Sequence, residues 1–129
     1  MAKQLTKTQS SPTAAPAKQR LRAVAGYFAD TEAGDADRLM HDRVRLGIMS
    51  ALSVNASISF AELKELLKAS DGNLSTHARK LEDAGYIACK KKFASRVPKT
   101  EYSLTAKGKR VFARHLAHME SLIQAAKGT

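Results

Sequence analysis

The feature that most constrains the fold is a pair of neighbouring segments that each carry apolar residues at helical spacing. The first segment places Leu63, Leu66 and Leu67 on one face, which is the pattern of an amphipathic helix. Ser59 precedes Glu62 by three positions, an arrangement that satisfies two free backbone N–H groups at a helix start. We therefore expect a helix that begins just after Ser59 and ends at the polar turn that follows.

That turn is Ser70-Asp71-Gly72-Asn73, whose first two side chains can accept hydrogen bonds from the first amides of a following helix. The second helix places Leu74, Ala78 and Leu81 inward and stops at Gly85, a residue suited to the left-handed position past a helix end. Two helices joined by about four turn residues make a helix-turn-helix, whose second helix normally enters the major groove of DNA.

Elements on both sides extend this motif. Upstream, residues 38–54 have apolar positions four apart and read as a helix, and residues 58–60 read as a very short strand. Downstream, residues 86–93 and 100–104 are strand-like. The segment between them, 94–99, is too long for a two-residue turn and is basic at its tip. A β-hairpin in this place is the wing of a winged helix.

A long amphipathic helix follows the hairpin. Thr105 caps it, and we expect it to run to about residue 126. Large apolar residues recur along it at spacings of four and three, namely Phe112, Leu116, Met119 and Ile123. This is the seam spacing of a coiled coil, so we expect these four residues to form a homodimer interface. The predicted fold class is α+β, mainly helical.

The charge of the chain indicates a polyanionic partner. The net charge is +10, and residues 79–114 hold 11 basic residues against 3 acidic ones. A positive field confined to one part of the fold favours nucleic acid.

Composition divides the chain into three parts. Residues 1–20 carry four basic residues and no acid, and with few large apolar residues they are expected to be a flexible basic tail. Residues 21–37 carry one basic and four acidic residues, and we expect a short helix followed by an acidic linker. We expect residues 38–129 to form a winged-helix DNA-binding domain with a C-terminal dimerisation helix.

Several classes of protein fit this sequence poorly. No stretch approaches the roughly 18 apolar residues of a membrane span, and the N-terminus lacks the apolar centre of a secretory signal. The single cysteine excludes an internal disulfide, which fits a reducing cytoplasm. The chain has no phosphate-binding Gly-rich loop, no His-Glu-x-x-His and no Gly-x-Ser-x-Gly. We expect a cytoplasmic protein that is not an enzyme and holds no cofactor or metal.

Four stretches resemble winged-helix transcriptional regulators: Leu46-Gly47-Ile48-Met49 and residues 70–77, 81–87 and 100–108. From residue 38 to about residue 124 the chain is similar to the small MarR/ArsR-like branch of prokaryotic regulators. The resemblance implies a homodimer on a roughly palindromic double-stranded DNA operator, with terminal helices forming much of the dimer interface. Metal-sensing members carry cysteine clusters near the recognition helix or His and Asp ligands along a terminal helix, and neither set is complete here.

The outward side of the second helix and the hairpin supply the candidate DNA contacts. The side chains suited to base edges are Asn73, Ser75, Thr76 and Arg79. The cations suited to phosphates or the minor groove are Lys80, Lys91, Arg96 and Lys99. Because strand alternation sends Lys91 to the opposite face from its two lysine neighbours, all three cannot contact one DNA strand. The alternative reading of these residues is an ordinary solvated surface.

Three residues outside this set have a possible sensing role. Cys89 could respond to oxidation, although a lone cysteine in a strand is more often a small buried hydrophobe. His115 and His118 could share a metal, although such a pair without carboxylate or thiolate company is more often surface or interface histidine. The sequence does not name a small-molecule effector.

Three functions compete. The leading hypothesis is a sequence-specific dimeric transcriptional regulator, a repressor by occlusion. The second is an architectural DNA-binding protein without strong sequence preference, and the third is a protein-interaction module. The short polar side chains of residues 73–79 favour base readout, whereas an architectural protein needs mostly Lys and Arg. The positive charge of residues 79–114 counts against the third hypothesis.

Overall fold

A computed structural model of the protein describes residues 16–29 and 31–128. The elements in chain order are α1 (Ala17–Ala29), α2 (Thr31–Met40), α3 (Arg43–Ser53), β1 (Ile58–Ser59), α4 (Phe60–Leu67), α5 (Asp71–Asp83), β2 (Ile87–Ala94), β3 (Val97–Leu104) and α6 (Ala106–Lys127). The expected α+β, mainly helical winged helix is confirmed. The described residues divide into a central unit, residues 35–113, and a terminal unit made by those up to residue 34 and those from residue 114 onward.

The central unit has one apolar core, formed where the helices meet the inner face of a small sheet. Its most deeply buried side chains are Met40, Ile48, Met49, Leu63, Leu74 and Leu81. Ile87 and Tyr102 bring the sheet into the same cluster. Burial of these groups is the main favourable contribution to the stability of the unit.

The helix expected over residues 38–54 is two helices. Asp42 has an extended backbone, and its side chain accepts hydrogen bonds from the N–H groups of Val44 and Arg45. An N-cap of this kind begins a new helix, so α2 ends at Met40 and α3 begins at Arg43. The capping box of Ser59 and Glu62 at the start of α4 is present as expected.

The helix-turn-helix has a shorter turn than the sequence indicated. Ser70 is the N-cap of α5, because its hydroxyl accepts a hydrogen bond from the N–H of Asn73 at 3.1 Å. Residues 71–73, expected in the turn, therefore form the first turn of the helix. On α4, Leu63 and Leu67 turn inward as expected, but Leu66 is 61% exposed, because neighbouring residues are about 100° apart around a helix and Leu66 lies at the edge of the inner face.

The wing is a tight hairpin. The sheet is antiparallel in the order β1-β3-β2, and the β2–β3 register runs from Ile87 opposite Leu104 to Ala94 opposite Val97. Only Ser95 and Arg96 connect the strands, with φ of 53° and 70°. The expectation that residues 94–99 are too long for a two-residue turn is wrong. Positive φ at both central residues gives the turn whose twist matches that of the strands, and β3 begins at Val97 instead of residue 100.

The N-terminal elements also differ from expectation. The basic tail expected over residues 1–20 lies largely outside the described residues, but α1 begins at Ala17, directly after Pro16, a residue that favours helix starts. The acidic stretch expected as a linker is helical from residue 31 to 40. Ala36 and Met40 are buried in the core of the central unit, and this burial explains why the segment is ordered.

The terminal unit leaves large apolar side chains on its surface. The exposed fractions of Leu21, Leu116 and Ile123 are 69%, 51% and 45%. Phe112, the first residue of the expected seam, is instead 5% exposed and belongs to the core of the central unit. The exposed part of the seam therefore starts at Leu116, because Phe112, one helical turn earlier, packs in the core of the central unit.

The start of α6 is fixed to the backbone that leads into the wing. Thr105 caps the helix by accepting from the N–H of Gly108 at 2.9 Å, and its hydroxyl donates to the carbonyl of Gly85 at 2.6 Å. The N–H of Thr105 donates to the carbonyl of Tyr86 at 3.1 Å. A Cβ added at Gly108 would overlap that same carbonyl. Only glycine permits this close approach of helix and chain.

We predict that Gly108→Ala destabilises the protein by about 3 kcal/mol, because overlap with rigid backbone costs as much as severe overpacking. Gly72→Ala is the matched control. Gly72 lies in α5 with nothing within 4 Å of an added Cβ, so its replacement should be neutral or stabilise by up to about 1 kcal/mol. Urea unfolding of both variants measures the difference. Equal stability of the two variants would contradict the account of Gly108.

Candidate nucleic-acid interface

The outer face of α5 is polar and open. Leu74, Ala78 and Leu81 are at most 1% exposed, so the other side of the helix faces away from the core, as the sequence predicted. A shallow groove of about 480 Å³ runs along that side, lined by Gly72, Ser75, Thr76, Arg79, Lys80 and Asp83. Four of the eight predicted DNA-contact residues are therefore brought together on one helix face.

A second hollow joins α5 to the wing. Its volume is about 430 Å³, and Ser75 and Arg79 line it from the helix while Lys91 and Thr100 line it from the hairpin. Ser75 and Arg79 thus border both hollows. Lys91 faces α5 because strand alternation places it on the same side of the hairpin as Cys89. The structure joins this predicted wing residue to the surface of α5.

The remaining predicted residues lie around this surface. Asn73 is exposed in the first turn of α5, with its backbone N–H bound by Ser70. Arg96 occupies the hairpin turn with φ of 70°. Lys99 borders a separate hollow of about 240 Å³ at the start of α4. The hydrogen bonds from Ser59 lower the pKa of the Glu62 carboxyl, and the nearby charge of Lys99 lowers it further. Arg96 and Lys99 belong to the wing and not to the face of α5.

The cations of this surface are not neutralised within the protein. Among the residues that the structure describes, no ion pair involves Arg79, Lys80, Lys91, Arg96 or Lys99. By contrast Lys92, on the other face of the hairpin, pairs with Glu101 at 3.0 Å. Unpaired cations therefore lie on the outer face of α5 and on the wing.

Hydrogen bonds fix α5 to the start of α3. Arg45 donates from Nη1 to Nδ1 of His77 at 2.8 Å and from Nε to the carbonyl of Leu39 at 2.6 Å. Because arginine has no acceptor, Nδ1 of His77 must be the acceptor, and the proton of the neutral ring lies on Nε2. That atom is 3.5 Å from the carboxylate of Asp42. His77 thus connects the candidate recognition helix to the N-cap of α3.

Asp42 is held as a carboxylate in this arrangement. Burial acts to raise the pKa of Asp42, but the hydrogen bond from the N–H of Arg45 and the proximity of His77 outweigh it, and the pKa lies below its ordinary value of 3.8. The exposed Arg43 donates to the carbonyl of Leu67 at 3.1 Å, so Arg43 and Arg45 both bind backbone carbonyls of the central unit. These two arginines of α3 serve its packing.

The floor of the hollow between α5 and the wing is formed by Cys89 and Tyr102, which face each other across β2 and β3. Burial, and then the charge of Glu82, raise the pKa of the Cys89 thiol. Burial and the neighbouring Cys89 raise the pKa of Tyr102. A thiol held in its protonated form is a poor nucleophile, so this environment does not favour redox sensing by Cys89.

The sequence also predicts that the protein has no metal site and no membrane span. His115 is 6% exposed, and both it and His118 have interaction partners within the protein. Over the described ranges, no three His, Cys, Asp or Glu side chains are grouped so that they could hold a metal ion. In the same ranges, no helix is long and apolar enough to cross a membrane.

Sequence reasoning missed Glu82, an acid that borders the hollow between α5 and the wing. Its position three residues after Arg79 on the same helix could have revealed it, because residues three apart share a helix face. A carboxylate among cations can accept a hydrogen bond from the amino group of cytosine. Glu82 is therefore a further candidate for base contact.

Comparison with known proteins agrees with this geometry. Residues 44–123 match the family described as winged helix DNA-binding domain. An uncharacterized protein of Methanocaldococcus jannaschii is 33% identical over 79 residues, which are 61% of this chain and 86% of that protein. The family match over residues 44–123 covers the elements from α3 to β3 and most of α6.

Two solved structures have a similar fold. A transcriptional regulator homologue from Pyrococcus horikoshii has a TM-score of 0.68 at 26% identity, over 81% of this chain and 97% of that one. A MarR family regulator from Neisseria meningitidis has a TM-score of 0.52 at 17% identity, over 84% of this chain and 73% of that one. With a family match over more than half of its length, the chain belongs to the winged helix DNA-binding domain family, and its fold is that of MarR-like transcriptional regulators.

Proposed function

We propose that this protein is a sequence-specific transcriptional regulator that binds double-stranded DNA as a homodimer and represses by occluding its operator. One observation carries the proposal: the open face of α5 and the wing share a continuous hollow bordered by Ser75, Arg79 and Lys91. A recognition helix and a basic hairpin that line one surface suit simultaneous contact with a major groove and the adjoining phosphates. As a protein that acts on chromosomal DNA, it would work in the cytoplasm and is not an enzyme.

The side chains divide into two roles. Those suited to base edges are Asn73, Ser75, Thr76 and Arg79. An amide can pair with adenine, a guanidinium can bind guanine through two hydrogen bonds, and hydroxyls can contact several bases. Those suited to phosphates are Lys80, Lys91, Arg96 and Lys99, which supply charge without reading sequence. Specificity would then depend on α5, and much of the affinity on the wing.

The apolar surface of the terminal unit supports self-association. Leu116 and Ile123 are seven residues apart on α6 and remain about half exposed, as expected for a seam that a second copy covers. Met119 lies between them on the seam, whereas Phe112 is occupied in the core. A dimer through this part of α6 would present two recognition helices to a palindromic site.

An architectural function without sequence preference is the second candidate. It is favoured by the wing, since residues 90–99 contain five basic residues and no acid. Such a hairpin binds any duplex through its phosphates. The polar groups on α5 favour the regulator. The two candidate functions differ in the ratio of the affinity for a specific site to the affinity for unrelated duplex, which can be measured.

We predict that the protein binds a site selected from a random DNA pool at least about 10³-fold more tightly than a scrambled duplex at equal salt. Four phosphate contacts per subunit give about eight for a dimer, so the log–log salt slope should be near −7 for both duplexes. Side-by-side titrations at near-physiological salt measure the ratio. Failure of selection to return a motif, or a ratio of a few-fold, would favour the architectural function.

We predict that Arg79→Ala costs about 1–3 kcal/mol of binding to the selected site and relaxes the preference at one position of each half-site. Arg79→Lys keeps the charge but not the paired hydrogen bonds, so it should relax the same position without changing the salt slope. Arg96→Ala should weaken all sequences alike and reduce the slope. Repeated selection with each variant measures this, and an unchanged motif for Arg79→Ala would exclude base readout by Arg79.

We predict that Leu116→Glu combined with Ile123→Glu yields monomers, because a dimer would bury four carboxylates in an apolar seam. The matched control combines Val54→Glu with Leu66→Glu, which adds the same charge at positions 79% and 61% exposed in the central unit. Sedimentation of both double variants measures the oligomeric state. If the α6 variant remains a tight dimer, the interface lies elsewhere, with Leu21 as the next position to test.

A further inference from the structure

The tip of the wing carries a large apolar side chain that the core does not use. Along β2, every second residue faces α5, and exposure rises outward from Ile87, which is 2% exposed, through Cys89 and Lys91 to Phe93, which is 77% exposed. The hairpin extends beyond the core at this point. An aromatic ring left in water so far from the core makes no contribution to the packing of the fold.

Proline supports this ring across the hairpin. Pro98 is opposite Phe93 in the β2–β3 register, next to the closing pair of Ala94 and Val97. Because a two-residue turn is closed by a hydrogen-bonded pair, the next pair is not hydrogen-bonded, and its side chains lie closest together. Proline loses no ladder hydrogen bond in such a place. Phe93 and Pro98, both exposed, thus lie side by side as an apolar ridge on the α5 side of the wing.

Cations lie near the ridge on both faces of the hairpin, and Lys92 among them is paired with Glu101. Lys91 lies on the same face two residues before Phe93, Arg96 occupies the turn, and Lys92 and Lys99 lie opposite each other on the other face. A protein partner with an apolar pocket would also need acidic groups on every side of it. Duplex DNA satisfies both requirements, since its phosphates flank the apolar faces of sugars and bases.

We propose that Phe93, supported by Pro98, is an apolar wedge that enters the minor groove beside the recognition site and partly unstacks one base step in each half-site. This inference rests on the proposed binding of duplex DNA. Phenylalanine and proline both act as wedges of this kind in DNA-bending proteins, and flexible pyrimidine–purine steps unstack most easily. Phe93 then adds a preference for deformable DNA to the direct readout by α5.

The test compares Phe93→Ala and Phe93→Leu with Val97→Ala, a control at an apolar residue of the same hairpin that is 62% exposed and points to the other face. The probe is a duplex of about 30 base pairs, long enough for two half-sites, with 2-aminopurine at successive adenine positions. The selected site is used, or a random-sequence duplex if selection returns none. Binding of the wild-type protein should increase 2-aminopurine fluorescence at one step per half-site.

Phe93→Ala should abolish this increase and weaken binding about a hundredfold, within the range for loss of two aromatic–base contacts, one in each half-site, while the salt slope stays unchanged because no charge is removed. Phe93→Leu should retain most of both signals, and Val97→Ala should retain all of them. Thermal unfolding should be the same for all variants, since both residues lie outside the core.

Several results would overturn the wedge. They are equal binding by Phe93→Ala and Val97→Ala, no fluorescence increase at any position, and a change of oligomeric state in Phe93→Ala, which would mark the ridge as a protein contact. Failure of the wild-type protein to bind any duplex would instead overturn the proposed function. The two proposals therefore fail in different ways.

Discussion

Burial of one face of α5 is the interaction on which the rest of this protein depends. Leu74, Ala78 and Leu81 are almost completely enclosed, and α5 packs against both α3 and α4. Because one face of α5 is held against the core, the orientation of its opposite, polar face is set as well. The contact from Arg45 to His77 adds direction to the apolar packing, because a hydrogen bond specifies rotation about the helix axis whereas apolar contacts alone tolerate small rotations.

The wing illustrates how a single turn sets the distribution of charge. With only Ser95 and Arg96 in the turn, the register is fixed and Lys91 and Lys92 must face opposite sides. Lys92 then meets Glu101, while Lys91 borders the hollow beside Arg79. A register shifted by one residue would exchange these positions. The register thus brings Lys91 of the basic run to the α5 side and leaves Lys90, Lys92 and Lys99 on the other face, where Glu101 pairs with Lys92.

The apolar stripe of α6 serves two purposes along one helix. Phe112 completes the core of the central unit, and Gly108 permits the close approach that fixes the helix start. In the terminal unit Leu116 and Ile123 of the same stripe are exposed, and the proposed self-association would cover them. The seam spacing alone does not distinguish these uses, because packing within one chain and between two chains requires the same periodicity.

The sequence by itself determined the order and type of most elements, since apolar periodicity, the capping box of Ser59 and Glu62, and Gly85 act through local geometry. It also indicated the outward residues of α5, because three inward positions define the opposite face. Tertiary structure decided most of the rest. The acidic segment is helical because Ala36 and Met40 pack into a core, whereas the N-cap of Asp42 that divides the expected helix is a local feature that apolar periodicity does not report. Lys91 and Arg79 line one hollow, and Phe93 stays exposed, only because the register and the limits of the core are set by contacts between residues far apart in the chain.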